Sequence, residues 1–138
     1  MDRTVYIDIA GKEYPMRFSL GASKALCEKF GSLNAMAGKI SGDKAEDFEA
    51  IAWIVALLIK QGCAYKNLFE SEIPAPESAP VKDGKYIAIS QEDLEIALEV
   101  KNLKKILEKI FATMGKGQKE TIEVEMKDPK SKKTGKGY

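Results

Sequence analysis

The chain reads as an α+β protein: a single, mainly α-helical domain opened by a β-hairpin and followed by a disordered, lysine-rich C-terminal tail. Three observations predict it. Residues 4–19 alternate apolar and polar side chains around a break that contains glycine, the period of a half-buried strand pair. Between Ala22 and Met114, apolar residues recur mostly three and four positions apart, the spacing of one helix face. Beyond residue 115 lysine accumulates and apolar residues thin out, leaving little to bury.

In the hairpin, Val5, Ile7 and Ile9 alternate with Tyr6, Asp8 and Ala10, and Gly11-Lys12-Glu13 reads as the turn. The return strand covers residues 14–19, with Tyr14, Met16 and Phe18 on one face and Leu20 closing it. Pro15 has no N–H to give to a ladder, so it belongs at an edge or a strand start. Two strands alone are only marginally stable. The hairpin must therefore lie on helices or gain a third strand.

A first helix is expected over residues 21–30, with Ala22, Ala25, Leu26 and Phe30 on its apolar face and Gly31 as C-terminal cap. Ser32 can cap a short second helix reaching Gly38, anchored by Leu33 and Met36. After Ser41-Gly42, Asp43 is placed to cap a central helix over about residues 44–61. Glu46, Asp47 and Glu49 lie where the helix dipole favours anions. Ala45, Phe48, Ile51, Ala52, Val55, Leu58 and Ile59 form one apolar stripe, and Trp53, Ala56 and Leu57 add a second. A helix apolar on two sides is covered on two sides, by its own domain or by a partner.

Gly62 ends or bends this helix, and residues 63–69 form a further turn in which Tyr65, Leu68 and Phe69 pack. Residues 73–84 hold three prolines and no period, which reads as an extended linker or exposed loop. Ser90-Gln-Glu-Asp93 resembles a capping box and opens a last helix running to Met114. Ile96, Val100, Leu103, Leu107, Ile110 and Met114 align as one seam. Leu94, Ala97 and Leu98 fall on another face, so this helix kinks near Asn102 or touches two neighbours. Gly115-Lys116-Gly117 stops it. The domain therefore spans residues 1–114, with a loop at 73–84. Residues 115–138 form the flexible tail, in which 121–125 alternate as one further short strand would.

The bulk numbers limit function. The chain has 138 residues, 44% apolar and 31% charged, with net charge +1, ordinary values for one soluble domain. The tail from Gly115 carries +3 and the remainder −2. The molecule as a whole is thus no electrostatic nucleic-acid binder, and nucleic acid is not an expected partner. The tail is read as a solubilising segment rather than a phosphate-binding one. Cys27 and Cys63 follow no motif and read as free thiols of a reducing compartment. No signal-peptide pattern opens the chain, and the longest apolar run, residues 50–59, is about half a bilayer span. The expected location is the cytoplasm, without a membrane.

Catalytic chemistry has little to work with. The chain contains no histidine, so it lacks the commonest general base and metal ligand. It has no Cys-x-x-Cys, no Gly-x-Ser-x-Gly and no P-loop spacing. No catalytic residue, metal ligand or cofactor is expected, and the protein is read as a non-enzyme. Glu46, Asp47 and Glu49 are read as a solvated helix N-terminus rather than catalytic acids. The partner-binding candidates are Trp53, Leu57 and Lys60; the competing reading makes that face plain core packing. The seam from Ile96 is too short for a coiled coil of three to four heptads, so packing within the chain is the expectation.

Four segments carry a resemblance: the strand Tyr14-Pro15-Met16-Arg17-Phe18, the helix end Leu26-Cys27-Glu28-Lys29-Phe30-Gly31-Ser32-Leu33, the apolar helix at 51–59, and the helix start Ser90-Gln91-Glu92-Asp93-Leu94. In this order, over residues 4–114, the chain resembles the tail assembly chaperones of long-tailed phages and prophages of Gram-positive bacteria. The resemblance implies a small helical protein that binds the tape measure protein, shields its apolar surface, and helps tail tube subunits polymerise around it. It further implies action in the host cytoplasm and a second, longer product made by ribosomal frameshifting. Self-association stays open. Two other classes stand beside it: a structural tail or head–tail connector protein, and a small nucleic-acid-binding regulator.

Overall fold

The computed structural model describes residues 3–41 and 43–117. The strand expected at 121–125 and all of the tail beyond Gly117 lie outside the described residues. The architecture is α+β and mainly helical, with an antiparallel hairpin at its N-terminal end.

Strands β1 (Val5–Ile9) and β2 (Lys12–Met16) pair with Val5 opposite Met16 and Ile9 opposite Lys12. The turn is therefore Ala10-Gly11 alone, one step earlier than Gly11-Lys12-Glu13. Both residues have positive φ, 54° and 85°, the type I′ geometry that matches strand twist. Val5, Ile7, Ile9 and Met16 are buried on one face. The strand ends at Met16, and Leu20 does not close it. Ser19 caps helix α1 (Leu20–Phe30), accepting the Ala22 N–H at 3.0 Å, and Leu20 becomes a first-turn residue left exposed.

Gly31 ends α1 with φ 93° and gives its N–H to the Cys27 carbonyl. Ser32 caps α2 (Leu33–Lys39) through the Ala35 N–H at 3.0 Å, which places Met36 in the core. Asp43 does not cap the central helix. Lys44 holds that position, and the Asp47 carboxylate accepts the Lys44 N–H at 3.1 Å.

Helix α3 runs Ala45–Phe69, 25 residues without interruption, and Gly62 neither ends nor bends it. The reason is contact with the hairpin. A Cβ at Gly62 would stand 2.1 Å from the Pro15 carbonyl oxygen, so only glycine lets β2 cross here. Next to this crossing the Arg17 N–H bonds the Leu58 carbonyl at 3.1 Å, tying the strand exit to the helix backbone. Ile54, Val55, Leu58 and Ile59 are fully buried, each contributing about 1.5–3 kcal/mol. By length and composition α3 could cross a membrane, and half of that stretch is buried within the protein. It contacts β2, β4, α1, α2, α4 and α5.

The proline-rich stretch is attached to the body, not a free linker. Ala79 and Pro80 are buried, and the Glu13 N–H bonds the Ser78 carbonyl at 2.9 Å. A second hairpin follows, β3 (Val81–Lys82) and β4 (Lys85–Tyr86), turning on Asp83-Gly84. Asn67 of α3 clamps it: its amide donates to the Tyr86 carbonyl at 3.1 Å and accepts the Tyr86 N–H at 2.9 Å.

The last helix is broken. Helix α4 covers Gln91–Ala97, with Ser90 accepting the Asp93 N–H at 3.1 Å. Leu98 and Glu99 are extended, Val100–Asn102 form one 3-10 turn, and α5 covers Leu103–Gly117. Gly115 therefore lies inside α5. The single seam is overturned in its first half: Ile96 is 83% and Val100 69% exposed, whereas Ile110 and Met114 are buried. Geometry explains the break. At 3.6 residues per turn, Leu94 and Ile110 would point about 160° apart on one continuous helix. Both are fully buried, Leu94 on a helix that packs on α3 and Ile110 on one that packs on β1 and α3. Unwinding at 98–99 lets each reach its place.

Candidate functional site

Trp53, Leu57 and Lys60 come together. With Ala56 of α3 and residues 88–91 they line a groove of about 510 Å³. Hydrogen bonds hold it on both sides. Asn67 holds Tyr86, the Ile87 N–H bonds the Pro80 carbonyl at 2.8 Å, and Ser90 caps α4, so residues 88–91 are fixed between two anchors. Trp53 meets Phe30 edge to face, ring centroids 5.8 Å apart, and the Lys29 ammonium lies 5.0 Å from the indole, a cation–π distance. Trp53 and Leu57 are half-buried and Lys60 is exposed. The face is thus neither closed core nor fully bare.

A second, larger groove, about 650 Å³, lies where α4, the 3-10 turn and the start of α5 pass the first half of α3. Phe48, Ile51, Leu94, Leu98 and Leu103 give it apolar walls. Glu46, Glu49, Glu95 and Glu99 also line it, and no lysine or arginine does. The sequence pattern does not reveal this groove, because it depends on the break at 98–99. The one available signal was that Leu94 and Leu98 fall off the seam through Ile96.

The carboxylates of the central helix separate by role. Asp47 is buried and caps α3, while Glu46 and Glu49 are exposed. Among the described residues no group of three or more His, Cys, Asp or Glu side chains could hold a metal. Cys27 is exposed, Cys63 is buried, and neither forms a disulfide. Burial pushes the Cys63 thiol from 9.0 up to about 11, which keeps it protonated and unreactive near neutrality. Burial also raises Tyr14, helped by nearby Cys63 and Asp93. At Lys66, burial works against the charge, but hydrogen bonds to Tyr6 and Glu70 outweigh it and hold the ammonium above its ordinary range. This cluster joins β1 to α3. Comparison of the chain with family models, curated proteins and solved structures gave no match.

Proposed function

We propose that the protein is a binding protein rather than an enzyme, a tail assembly chaperone of a long-tailed phage or prophage. In this reading it holds the tape measure protein in the host cytoplasm while tail tube subunits assemble on it. The observation that carries the reading is the groove at Trp53, Leu57 and Lys60. It offers half-buried apolar surface beside one lysine, on α3, the longest of the described helices, and a groove of that kind suits an apolar helical face. The motifs at 14–18, 26–33, 51–59 and 90–94 support the family assignment by resemblance.

The test starts from the gene's neighbours, among which this reading expects a very long, helix-rich reading frame downstream, and co-expresses its product with this chain. The chaperone should raise the soluble yield of the tape measure protein and co-purify with it. Leu57→Asp should abolish co-purification while keeping the helical circular dichroism signal, because Leu57 is only half-buried. Collapse of that signal would return Trp53 and Leu57 to the core. Recovery of the protein as a stoichiometric part of finished virions would favour a structural tail component instead.

A further inference from the structure

The larger groove is a separate surface, and its chemistry is specific. Its apolar walls come from α3 on one side and from the broken 91–106 segment on the other. The break has no local cause: residues 91–114 contain neither glycine nor proline, and Leu98 and Glu99 are both good helix formers. Breaking there buries Leu94 and Ile106 but leaves Leu98 and Leu103 half-covered and Val100 69% exposed along the opening. Apolar surface left at the mouth of a concave site marks an interaction site more often than a random patch does.

The charge around it selects the occupant. Four carboxylates, Glu46, Glu49, Glu95 and Glu99, border the walls, with no cationic side chain among the lining residues. Glu99 also pairs with Lys101 at 3.5 Å, with both partners exposed and the pair hence weak. We infer that this groove docks an amphipathic helix of a partner protein whose apolar stripe is flanked by lysine or arginine. The stripe covers Leu98, Val100 and Leu103, and the flanking cations meet the two glutamates of α3 and the two of the broken segment. An acidic helix is repelled from the same walls, so the rim sets specificity as well as approach rate. This inference does not depend on the tape measure reading, which uses the groove at Trp53.

The probes are two synthetic helical peptides sharing one leucine–alanine face, one flanked by lysines and the other by glutamates. Each is titrated into the full chain by fluorescence anisotropy. The lysine peptide should bind at least about tenfold more tightly than the glutamate peptide, with an affinity that falls as salt is raised. The double variant Glu95→Lys/Glu99→Lys changes only exposed side chains, so it should fold normally; it leaves Glu46 and Glu49 balanced by two lysines and should abolish the preference. Val100→Ser, which removes apolar contact without adding charge, should weaken the lysine peptide, and Leu57→Asp should leave it unchanged. Equal binding of the two peptides, or binding of neither, overturns the inference. So does a preference for the lysine peptide that survives the double charge reversal. If the chain cut after Gly117 binds the lysine peptide about tenfold more tightly than the full chain, the chain's own lysine-rich tail is the occupant, and the assignment to a partner fails. No outcome depends on a phage protein, so failure here and failure of the tape measure reading are separate events.

Discussion

Two helical stretches, α3 and residues 91–117, treat their sequence punctuation in opposite ways. Helix α3 carries a glycine at position 62 and continues through it. Residues 91–117 carry no breaker before Gly115 and break at 98–99. Gly62 stays helical because the missing side chain is filled by the backbone of β2, with the Arg17 N–H bonded to the Leu58 carbonyl beside it. Leaving the helix at Leu98 and Glu99 lets Leu94 pack on α3 while Ile110 packs on β1 and α3, directions about 160° apart on one straight rod. Propensity costs are of order 1 kcal/mol, whereas burying a large apolar side chain gains about 1.5–3 kcal/mol. Packing therefore overrides punctuation in both places.

The largest effect is expected at the crossing. Gly62→Ala should cost more than about 3 kcal/mol, because backbone rather than a flexible side chain occupies the space. Thermal denaturation should show a large fall in Tm; a near-neutral variant would mean that β2 does not cross at Gly62. The matching test in the broken stretch is Leu94→Ala, expected to cost about 3 kcal/mol. Its effect should be local, with amide exchange accelerating over 91–102 while α3 and the hairpin stay protected. Uniform acceleration would show that α4 belongs to the global core.

A pH titration sharpens the same contrast. Cys63 sits one residue beyond Gly62, and its thiol is raised from 9.0 to about 11. In the unfolded chain it ionises first, so the folded state loses stability as pH rises from about 9 to about 11 and loses none of this contribution below that window. The difference amounts to about 3 kcal/mol at most. Tyr14 and Tyr86, also raised by burial, act in the same direction. Cys63→Ala should flatten the alkaline decline measured by urea unfolding; an unchanged slope would show that Cys63 is not its source. The smallest effect is the most telling for the seam. Ile96→Lys should change stability by less than about 0.5 kcal/mol, since Ile96 is 83% exposed. A loss of several kcal/mol would return Ile96 to the seam that its spacing suggests.

The candidate site divides along the same line. Trp53 and Leu57 were legible because a second apolar face on one regular helix is a purely periodic signal, and Ala56 joins them in the groove. The acid-rimmed groove was not legible, because Glu46 and Glu95 meet only after α4 folds back on α3.

By itself the sequence determined the features that depend on neighbours in the chain. These are the alternation of β1 and β2, the caps at Ser32 and Ser90, the stop at Gly31, and the apolar stripes of α1 and α3. Each is settled within one turn or one strand, by a hydrogen bond or a period that local residues complete. Distant contacts decided that Gly62 is a crossing point, that the loop is held at Ser78 by β2 and at Tyr86 by Asn67, and that of the two arrangements open to the last helix, a kink near Asn102 or contact with two neighbours, it splits, at 98–102. Those outcomes depend on surfaces brought together from distant parts of the chain, where the energy of burying Leu94, Ile110 and Pro15 exceeds what any local preference can oppose.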